Sequence, residues 1–262
     1  MPDSGETIGV IPARYGSTRF PGKPLAMIAG KPMIRHVYEA ATQARLLGRI
    51  LVATDDRRIY DAVRGFGGEA VITSAAHRTG TDRVAEVARQ NEASFYVNIQ
   101  GDEPLIEPGM IDAVARMLAE GAPMATLASR ITSRGELFDQ NTVKVVLAAD
   151  GSALYFSRHA IPFPKKYLDR GVDVDLLASV YLRHLGTYGY GRAALLQVAD
   201  HEPCEIEELE SLEQLRALYM GIKIRVAVVD STGPCVDVPG DVEKVERILS
   251  ARGAHRWQNT SS

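Results

Sequence analysis

Short apolar runs alternate along the first half of the chain with stretches of helical periodicity. The apolar runs at 50–53, 70–72 and 95–99 predict strands, and apolar side chains recur at helical spacing in 33–45. Uninterrupted apolar runs are typical of strands that are buried on both faces. The alternation therefore predicts an α/β fold of three layers, in which a mostly parallel sheet lies between two layers of helices.

The pattern changes in the middle third, where strands follow one another with little room for helices. The predicted strands lie at 125–129, 142–147, 153–156 and 181–191. We interpret the region from about 123 to 200 as a β-rich excursion within a single domain that covers residues 1–262. We expect this excursion to be the subregion that shapes a substrate pocket or a dimer contact.

Three local predictions concern a helix, a helix cap and a loop. Apolar side chains predict one long helix with one buried face, formed by Ile206, Leu209, Leu212, Leu215, Leu218 and Tyr219. Thr81 or Asp82 is the predicted N-cap of the helix that follows the strand at 70–72. The segment 163–178 has mixed charge and no clear period, which predicts a surface loop.

Composition and charge mainly exclude classes of protein. The chain has 262 residues, 45% of them hydrophobic and 24% charged, which is ordinary for a globular protein. Its net charge of −3 argues against a nucleic-acid-binding surface. Cys204 and Cys235 form no C-x-x-C pair, which argues against a zinc site or a disulfide framework. No apolar signal core is present and no run reaches the ~20 apolar residues of a membrane span, so we expect a cytoplasmic protein with no membrane partner.

The stretch IPARYGSTRFPGKP, residues 11–24, follows the first predicted strand and cannot continue it. Gly22 tolerates a positive φ, and Arg14, Arg19 and Lys23 place three cations within ten residues of an acidic chain. A loop of this kind suits a polyphosphate, which backbone N–H groups, Arg forks and a Lys point charge hold together. The spacing excludes a Walker loop. A solvated strand-to-helix loop is the alternative interpretation.

Two carboxylates on other loops extend this hypothesis. Asp102 follows the strand at 95–99, at the edge of the sheet where open α/β folds bind ligands, and Asp237 lies near the end of the chain. Two carboxylates beside three cations make sense if Mg²⁺ bridges them to phosphate oxygens, because Mg²⁺ takes one or two protein carboxylates. The alternatives are that Asp102 is a turn residue that bonds its own backbone, and that Asp237 caps the helix after Pro239.

Five segments together resemble a known family. IPARYGSTRFPGKPL, VNIQGDEPLI, ALYFSRHAIP, HLGTYGYGR and LESLEQLRAL look like the corresponding segments of the 3-deoxy-manno-octulosonate cytidylyltransferase family, in order from Ile8 to about Ile248. The resemblance implies a Rossmann-like nucleotidyltransferase sheet. It also implies transfer of CMP from CTP to the anomeric hydroxyl of 3-deoxy-D-manno-octulosonate (Kdo) in lipopolysaccharide biosynthesis, with Mg²⁺ as cofactor and a homodimer formed largely through the middle third. The 8-amino analogue of Kdo, or another sugar acid, is the alternative acceptor.

The resemblance also implies roles for individual residues. The catalytic residues would be Arg14, Lys23, Asp102 and Asp237, of which Asp102 and Asp237 would carry the metal. The nucleotide would contact Ala13, Arg14, Arg19, Lys23 and Gln100, beside the loop at 77–81. The sugar acid would contact Gln100, Arg158, His184, Tyr188, Glu213 and Gln214.

One departure and two rival classes complete the reading of the sequence. The family pattern V-D-T-P-E-D becomes Val-Asp-Val-Pro-Gly-Asp at 236–241, so the Thr and the Glu are lost. A glycosyltransferase should show an Asp-x-Asp motif, but the segment 101–104 offers one Asp and one Glu. A non-catalytic nucleotide-binding module would not need both distant carboxylates. An NAD enzyme is weaker still, because no G-x-G-x-x-G follows the first strand.

Overall fold

The computed structural model describes residues 5–165, 173, 177, 179–230, 233 and 235–258, with side chains described as far as Ala251. The chain divides into two compact units. The first, here called the loop unit, consists of Thr7–Glu92, Asn98–Asp112 and Thr232–Ser262. The second, the middle unit, consists of Met1–Glu6, Ala93–Val97 and Ala113–Ser231. Most of the predicted surface loop at 163–178 lies outside the described residues.

The loop unit is built on parallel strands joined by helices. Strand β1 (Thr7–Ala13) pairs in parallel with β4 (Arg49–Thr54), which pairs in parallel with β5 (Ala70–Ile72). The other elements are the hairpin of β2 (Met27–Ile28) and β3 (Lys31–Pro32) and the helices α1 (Met33–Ala41), α2 (Arg57–Gly65), α3 (Gly80–Gln90) and α9 (Asp241–Gln258). The β1–α1–β4 and β4–α2–β5 connections confirm the alternation predicted from the apolar runs.

Sequence features set the ends and faces of these helices. Met33, Ile34 and Val37 of α1 are fully buried, as the predicted apolar stripe requires. Asp56 caps α2, because its carboxylate accepts the N–H of Arg58. The cap of α3 was predicted wrongly. Thr79 is the N-cap and Asp82 completes a capping box with it, since the helix begins at Gly80.

The middle unit is organised around β7 (Met124–Arg130). It pairs antiparallel with β10 (Leu182–Gly191) and parallel with β11 (Ile224–Val228). Strand β8 (Lys144–Leu147) pairs antiparallel with β10 and with β9 (Ala153–Ser157). The helices described in full in this unit are α5 (Arg134–Phe138), α6 (Arg192–Asp200), α7 (Glu205–Glu210) and α8 (Gln214–Tyr219). Two further elements, β6 (Phe95–Asn98) and α4 (Pro108–Ala119), have residues in both units.

The predicted long helix after position 205 is wrong. The chain forms α7 and α8 instead, because Ser211 adopts a left-handed conformation with φ 52° and ends the first helix. Leu209 and Tyr219, which were expected on a buried face, are 78% and 65% exposed. The structure also adds two helices, α5 and α6, that the pattern did not predict. Both Cys204 and Cys235 are free thiols, as expected.

No helix in the described part of the chain is both long enough and apolar enough to cross a membrane.

Lys144 is a fully buried lysine at the start of β8. Its ammonium donates to the carbonyls of Asp139, Thr142 and Arg158 at 2.9, 2.6 and 2.6 Å, and burial lowers its pKa. The three hydrogen bonds join the turn before β8 to the end of β9. Lys144 therefore replaces apolar packing at this point with a charged cross-link within the middle unit.

We expect Lys144→Met to lower the free energy of unfolding by about 2–4 kcal/mol, because it leaves three carbonyls without their donor. Lys223→Met is the matched control, since the Lys223 side chain is 73% exposed and its ion pair with Asp150 lies in solvent. The control should change stability by less than about 0.5 kcal/mol. Urea unfolding of both variants measures the difference, and equal losses would contradict the role given to Lys144.

Candidate functional site

The loop after β1 folds back on itself and returns its last cation towards the strand. The carbonyl of Tyr15 accepts the N–H groups of Ser17 and Gly22, both at 2.9 Å. Gly22 has φ 71°, and a Cβ there would lie 3.0 Å from the Tyr15 ring, so a glycine is needed at this close approach. A single 3₁₀ turn, Lys23–Leu25, follows. The guanidinium of Arg58 lies over the other side of this loop, 3.4 Å from the centre of the Tyr15 ring.

A cavity of about 240 Å³ opens beside this loop, and its walls carry all five residues predicted to contact the nucleotide, Ala13, Arg14, Arg19, Lys23 and Gln100. Asp102, predicted to carry the metal, also lines it. His77, Thr79 and Gly80 of the predicted 77–81 loop also line it. Among the described residues Arg14 has no side-chain partner, and it is exposed. Its guanidinium can therefore bind an anion without breaking an existing ion pair.

The two predicted metal carboxylates converge on one cation. The ammonium of Lys23 lies 2.7 Å from Oδ2 of Asp102 and 3.7 Å from Oδ1 of Asp237, and Arg19 Nη2 donates to the same Asp237 oxygen at 3.0 Å. The Lys23 side chain is only 14% exposed, whereas that of Arg19 is 65% exposed. Lys23 is therefore the cation that screens the two carboxylates from each other.

This geometry bears on the interpretations that the sequence left open. The Asp102 carboxylate accepts from Lys23, and that of Asp237 faces Lys23 and Arg19. In the opening loop Lys23 is largely buried in this ionic cluster, whereas Arg14 and Arg19 are exposed. These contacts favour the ionic interpretation, and the roles of the residues stay predictions.

The donor set fits a divalent cation. Two carboxylates already face one positive charge, and Mg²⁺ needs only one or two protein carboxylates when substrate phosphates and water fill the remaining positions. In the described part of the chain no group of three or more His, Cys, Asp or Glu side chains could hold a metal on its own. A metal at Asp102 and Asp237 would thus take its remaining ligands from water or from a substrate.

Helix α3 contributes Arg83 to the wall of the cavity and holds the neighbouring segments in place. The sequence analysis did not identify the residues that do this. Arg83 is 3% exposed and binds Asp55 at 3.0 Å and the hydroxyl of Thr73, so it ties α3 to the ends of β4 and β5. Glu86 accepts the N–H of Ser74 at 2.9 Å and contacts the His77 ring. The only feature of the sequence that could have pointed to them is their spacing, because residues three apart lie next to each other on one side of a helix.

The pKa of Glu86 agrees with this bracing role. Burial opposes ionisation of its carboxyl, but the hydrogen bonds from Ser74 and His77 lower its pKa overall. Glu86 is therefore an anion that holds both ends of the 74–77 segment, from which His77 reaches the cavity.

Two of the residues predicted to contact the sugar acid, the partly buried His184 and the buried Tyr188, lie side by side in the middle unit. The ring of His184 lies 5.1 Å from that of Tyr188, and its Nε2 lies 3.0 Å from the hydroxyl of Thr126. Burial lowers the pKa of His184 to about 3. Burial, followed by the interactions with Tyr190 and then Glu213, raises the pKa of Tyr188 well above its usual value. Both side chains are neutral near pH 7. The Tyr188 hydroxyl is buried and has no hydrogen-bond partner among the described residues.

Gln214 and Arg158 complete the predicted set in this unit. Gln214 is 8% exposed at the start of α8. The guanidinium of Arg158 donates to the carbonyls of Glu210, Gln140 and Ser211 at 2.7, 3.0 and 3.2 Å. Arg158 thus fixes the corner between α7 and α8, and its contact with a sugar acid stays a prediction.

Comparisons with known proteins identify the family. The family model described as cytidylyltransferase matches residues 8–224. The chain belongs to the cytidylyltransferase family. A 3-deoxy-manno-octulosonate cytidylyltransferase from Geobacter sulfurreducens is 50% identical over 240 residues, which cover 90% of this chain and 96% of that one. A protein of the same name from Myxococcus xanthus is 47% identical over 251 residues, which cover 95% of this chain and 99% of that one.

Solved structures agree with this assignment. The structure of a CMP:2-keto-3-deoxy-manno-octonic acid synthetase complexed with CTP is 43% identical, with a TM-score of 0.87, and covers 94% of this chain and 99% of that chain. A cytidylyltransferase from Leptospira borgpetersenii, at 14% identity and a TM-score of 0.61, shows the fold alone. The predicted family, the α/β fold with a mostly parallel sheet, and a nucleotidyltransferase enzyme are confirmed.

Proposed function

We propose that this cytidylyltransferase transfers CMP from CTP to the anomeric hydroxyl of Kdo, forming CMP-Kdo and pyrophosphate for lipopolysaccharide biosynthesis. The observation that carries the proposal is the convergence of Asp102 and Asp237 on Lys23 beside a cavity that Arg14 and Arg19 also line. The likeness to a synthetase complexed with CTP supports the choice of nucleotide. The names of the relatives support the choice of sugar acid.

The chemistry of the proposed reaction is dominated by charge. The anomeric hydroxyl attacks the α-phosphorus in line, and pyrophosphate leaves as a polyanion. Arg14, Arg19 and Lys23 would hold the triphosphate and neutralise the charge that develops on the leaving group, with Ala13 and Gln100 in the wall beside the nucleotide. Fixing the two substrates in line supplies much of the remaining rate enhancement.

The cofactor that we propose is Mg²⁺, and Asp102 and Asp237 are the residues that would hold it. When bound, Mg²⁺ neutralises phosphate oxygens and lowers the pKa of a coordinated hydroxyl. Lys23 approaches both carboxylates and Arg19 approaches that of Asp237, and Asp102 lines the cavity.

Three uncharged side chains of the middle unit suit recognition of a sugar acid. His184, Tyr188 and Gln214 offer uncharged donors and acceptors for sugar hydroxyls, and we propose them as acceptor contacts together with Gln100, Arg158 and Glu213. Because burial keeps His184 neutral, it is a hydrogen-bonding group rather than a general base near pH 7.

The proposed reaction is tested by measuring pyrophosphate release from CTP plus Kdo, with UTP, ATP, GTP and the 8-amino analogue of Kdo assayed in parallel. We expect CTP to be preferred over the other nucleotides, and Kdo over the analogue. Equal release from UTP and CTP at matched low concentrations would contradict the cytidylyl assignment. A higher kcat/KM with the amino analogue would instead favour the alternative acceptor.

Lys23→Met should lower the rate of pyrophosphate release by roughly 10²–10³, the usual cost of removing one preorganised charge from a transition state. Lys23→Arg should recover little of this, because a planar fork does not reproduce a compact ammonium. Asp102→Asn should be more damaging, and a tenfold rise in Mg²⁺ concentration should not rescue it. Lys31→Met is the matched control, since Lys31 pairs with Glu39 outside the cavity and should leave the rate unchanged.

Thermal melting of the same four variants separates loss of chemistry from loss of fold. The loop lysine contributes little to the apolar core, so both Lys23 variants should still fold and unfold cooperatively. Lys23→Met should melt somewhat below the wild type, because Asp102 and Asp237 lose their shared counter-charge. Near-wild-type turnover in Lys23→Met would show that this lysine does not stabilise the triphosphate.

We also propose a homodimer formed through the middle third, and a location in the cytoplasm. In the middle unit Phe138, Leu154 and Phe163 are 55%, 60% and 65% exposed, and a dimer contact that covered them would remove apolar area from water. Light scattering at micromolar concentration should give twice the chain mass of 28.5 kDa. A monomer mass would contradict the dimer, and recovery of the enzyme in a cell fraction other than the cytoplasm would contradict the location.

A further inference from the structure

The segment that carries Asp237 is fixed on its N-terminal side by Val236. The N–H of Val236 donates to the carbonyl of Asp102 at 2.9 Å, so the two carboxylate-bearing segments are joined directly by a backbone hydrogen bond. The Val236 side chain is fully buried in a cluster with Ile28, Met33, Leu105 and Val245. The backbone entering Asp237 therefore has a fixed position relative to Asp102.

The C-terminal side of Asp237 is held by the carboxylate of Asp241, the first residue of α9. Its Oδ2 accepts the N–H groups of both Asp237 and Val238 at 3.1 Å, and its Oδ1 binds Lys244 at 2.9 Å. The Asp241 N–H closes the same turn by donating to the carbonyl of Val238 at 3.0 Å. The side chain of Asp241 is itself only 14% exposed, although Val238 and Lys244 face solvent.

The other positions of this turn supply no substitute for Asp241. Val238 is 42% exposed and apolar, and a Cβ at Gly240 would meet no atom within 4 Å. Among the described residues, Asp241 is therefore the only side chain that accepts the N–H of Asp237.

We propose that Asp241 is a positioning residue for the metal-binding carboxylates. It fixes the backbone at Asp237 so that the side chain of Asp237 meets that of Asp102 at one cation, and it acts through Asp237 without touching a substrate. The role in catalysis rests on the proposed function, but the effect on cation binding does not depend on which sugar acid is the acceptor.

The test is Mn²⁺ binding to the full-length protein without substrates, followed by electron paramagnetic resonance, for the wild type, Asp241→Asn and Asp241→Ala. Partners that orient a metal ligand usually contribute about 10–100-fold to metal affinity, so Asp241→Ala should weaken binding at least tenfold. Asp241→Asn keeps an acceptor oxygen but loses the charge, and should weaken binding about two- to fivefold. The Mg²⁺ concentration that half-activates pyrophosphate release should rise in the same order, with KM for CTP at saturating Mg²⁺ unchanged.

Glu246→Gln is the matched control. Glu246 lies on the same helix and accepts the N–H of Ala29 at 2.7 Å, so its loss loosens α9 without touching the turn at Asp237. It should lower the melting temperature and leave Mn²⁺ affinity unchanged. Equal Mn²⁺ affinity in the wild type and Asp241→Asn would overturn the proposal even if Asp241→Ala fails to fold. So would a wild-type protein that binds no Mn²⁺, whereas pyrophosphate release from CTP and Kdo tests the proposed function separately.

Discussion

The site depends on holding two carboxylates at one point. Asp102 and Asp237 would repel each other in a partly buried position, and Lys23 offsets that repulsion because its ammonium lies 2.7 and 3.7 Å from the two groups. The return of the loop at Tyr15 and Gly22 serves this contact, since it brings Lys23 back towards the end of β1. Without the lysine, the geometry of both carboxylates would lose its counter-charge.

The same constraint explains why residues so distant in sequence are needed. Lys23 lies in the loop after β1, Asp102 follows β6, and Asp237 lies just before the last helix. The fold of the loop unit must therefore bring three separate segments of the chain together. The Val236–Asp102 backbone bond and the Asp241 carboxylate secure the last return. A single flexible loop could carry the same charges, but it would lose conformational entropy each time a ligand ordered it.

Periodicity in the sequence predicted the elements that pack by one face and failed where a single backbone angle decides. The stripe of α1 and the apolar run of β4 were predicted because burial alone dictates them. The break between α7 and α8 was not predicted, because the spacing of the apolar residues does not show that Ser211 adopts a left-handed conformation. The cap of α3 was misplaced by two or three residues, because Thr79, Thr81 and Asp82 all suit a cap and only the free N–H groups of the folded helix select one.

The charged residues of the site were visible in the sequence, but the residues that orient them were not. Lys23, Asp102 and Asp237 could be chosen by residue type, since phosphate and Mg²⁺ demand cations and carboxylates. Asp241 and Glu86 also carry carboxylates, but their roles follow from the backbone N–H groups that they accept, those of Asp237 and Ser74. That pairing is set by the packing of α9 and α3, which residue type cannot reveal. The kind of ligand that a loop can bind can therefore be predicted from its residue types, whereas the residues that orient the binding groups are identified only from the folded structure.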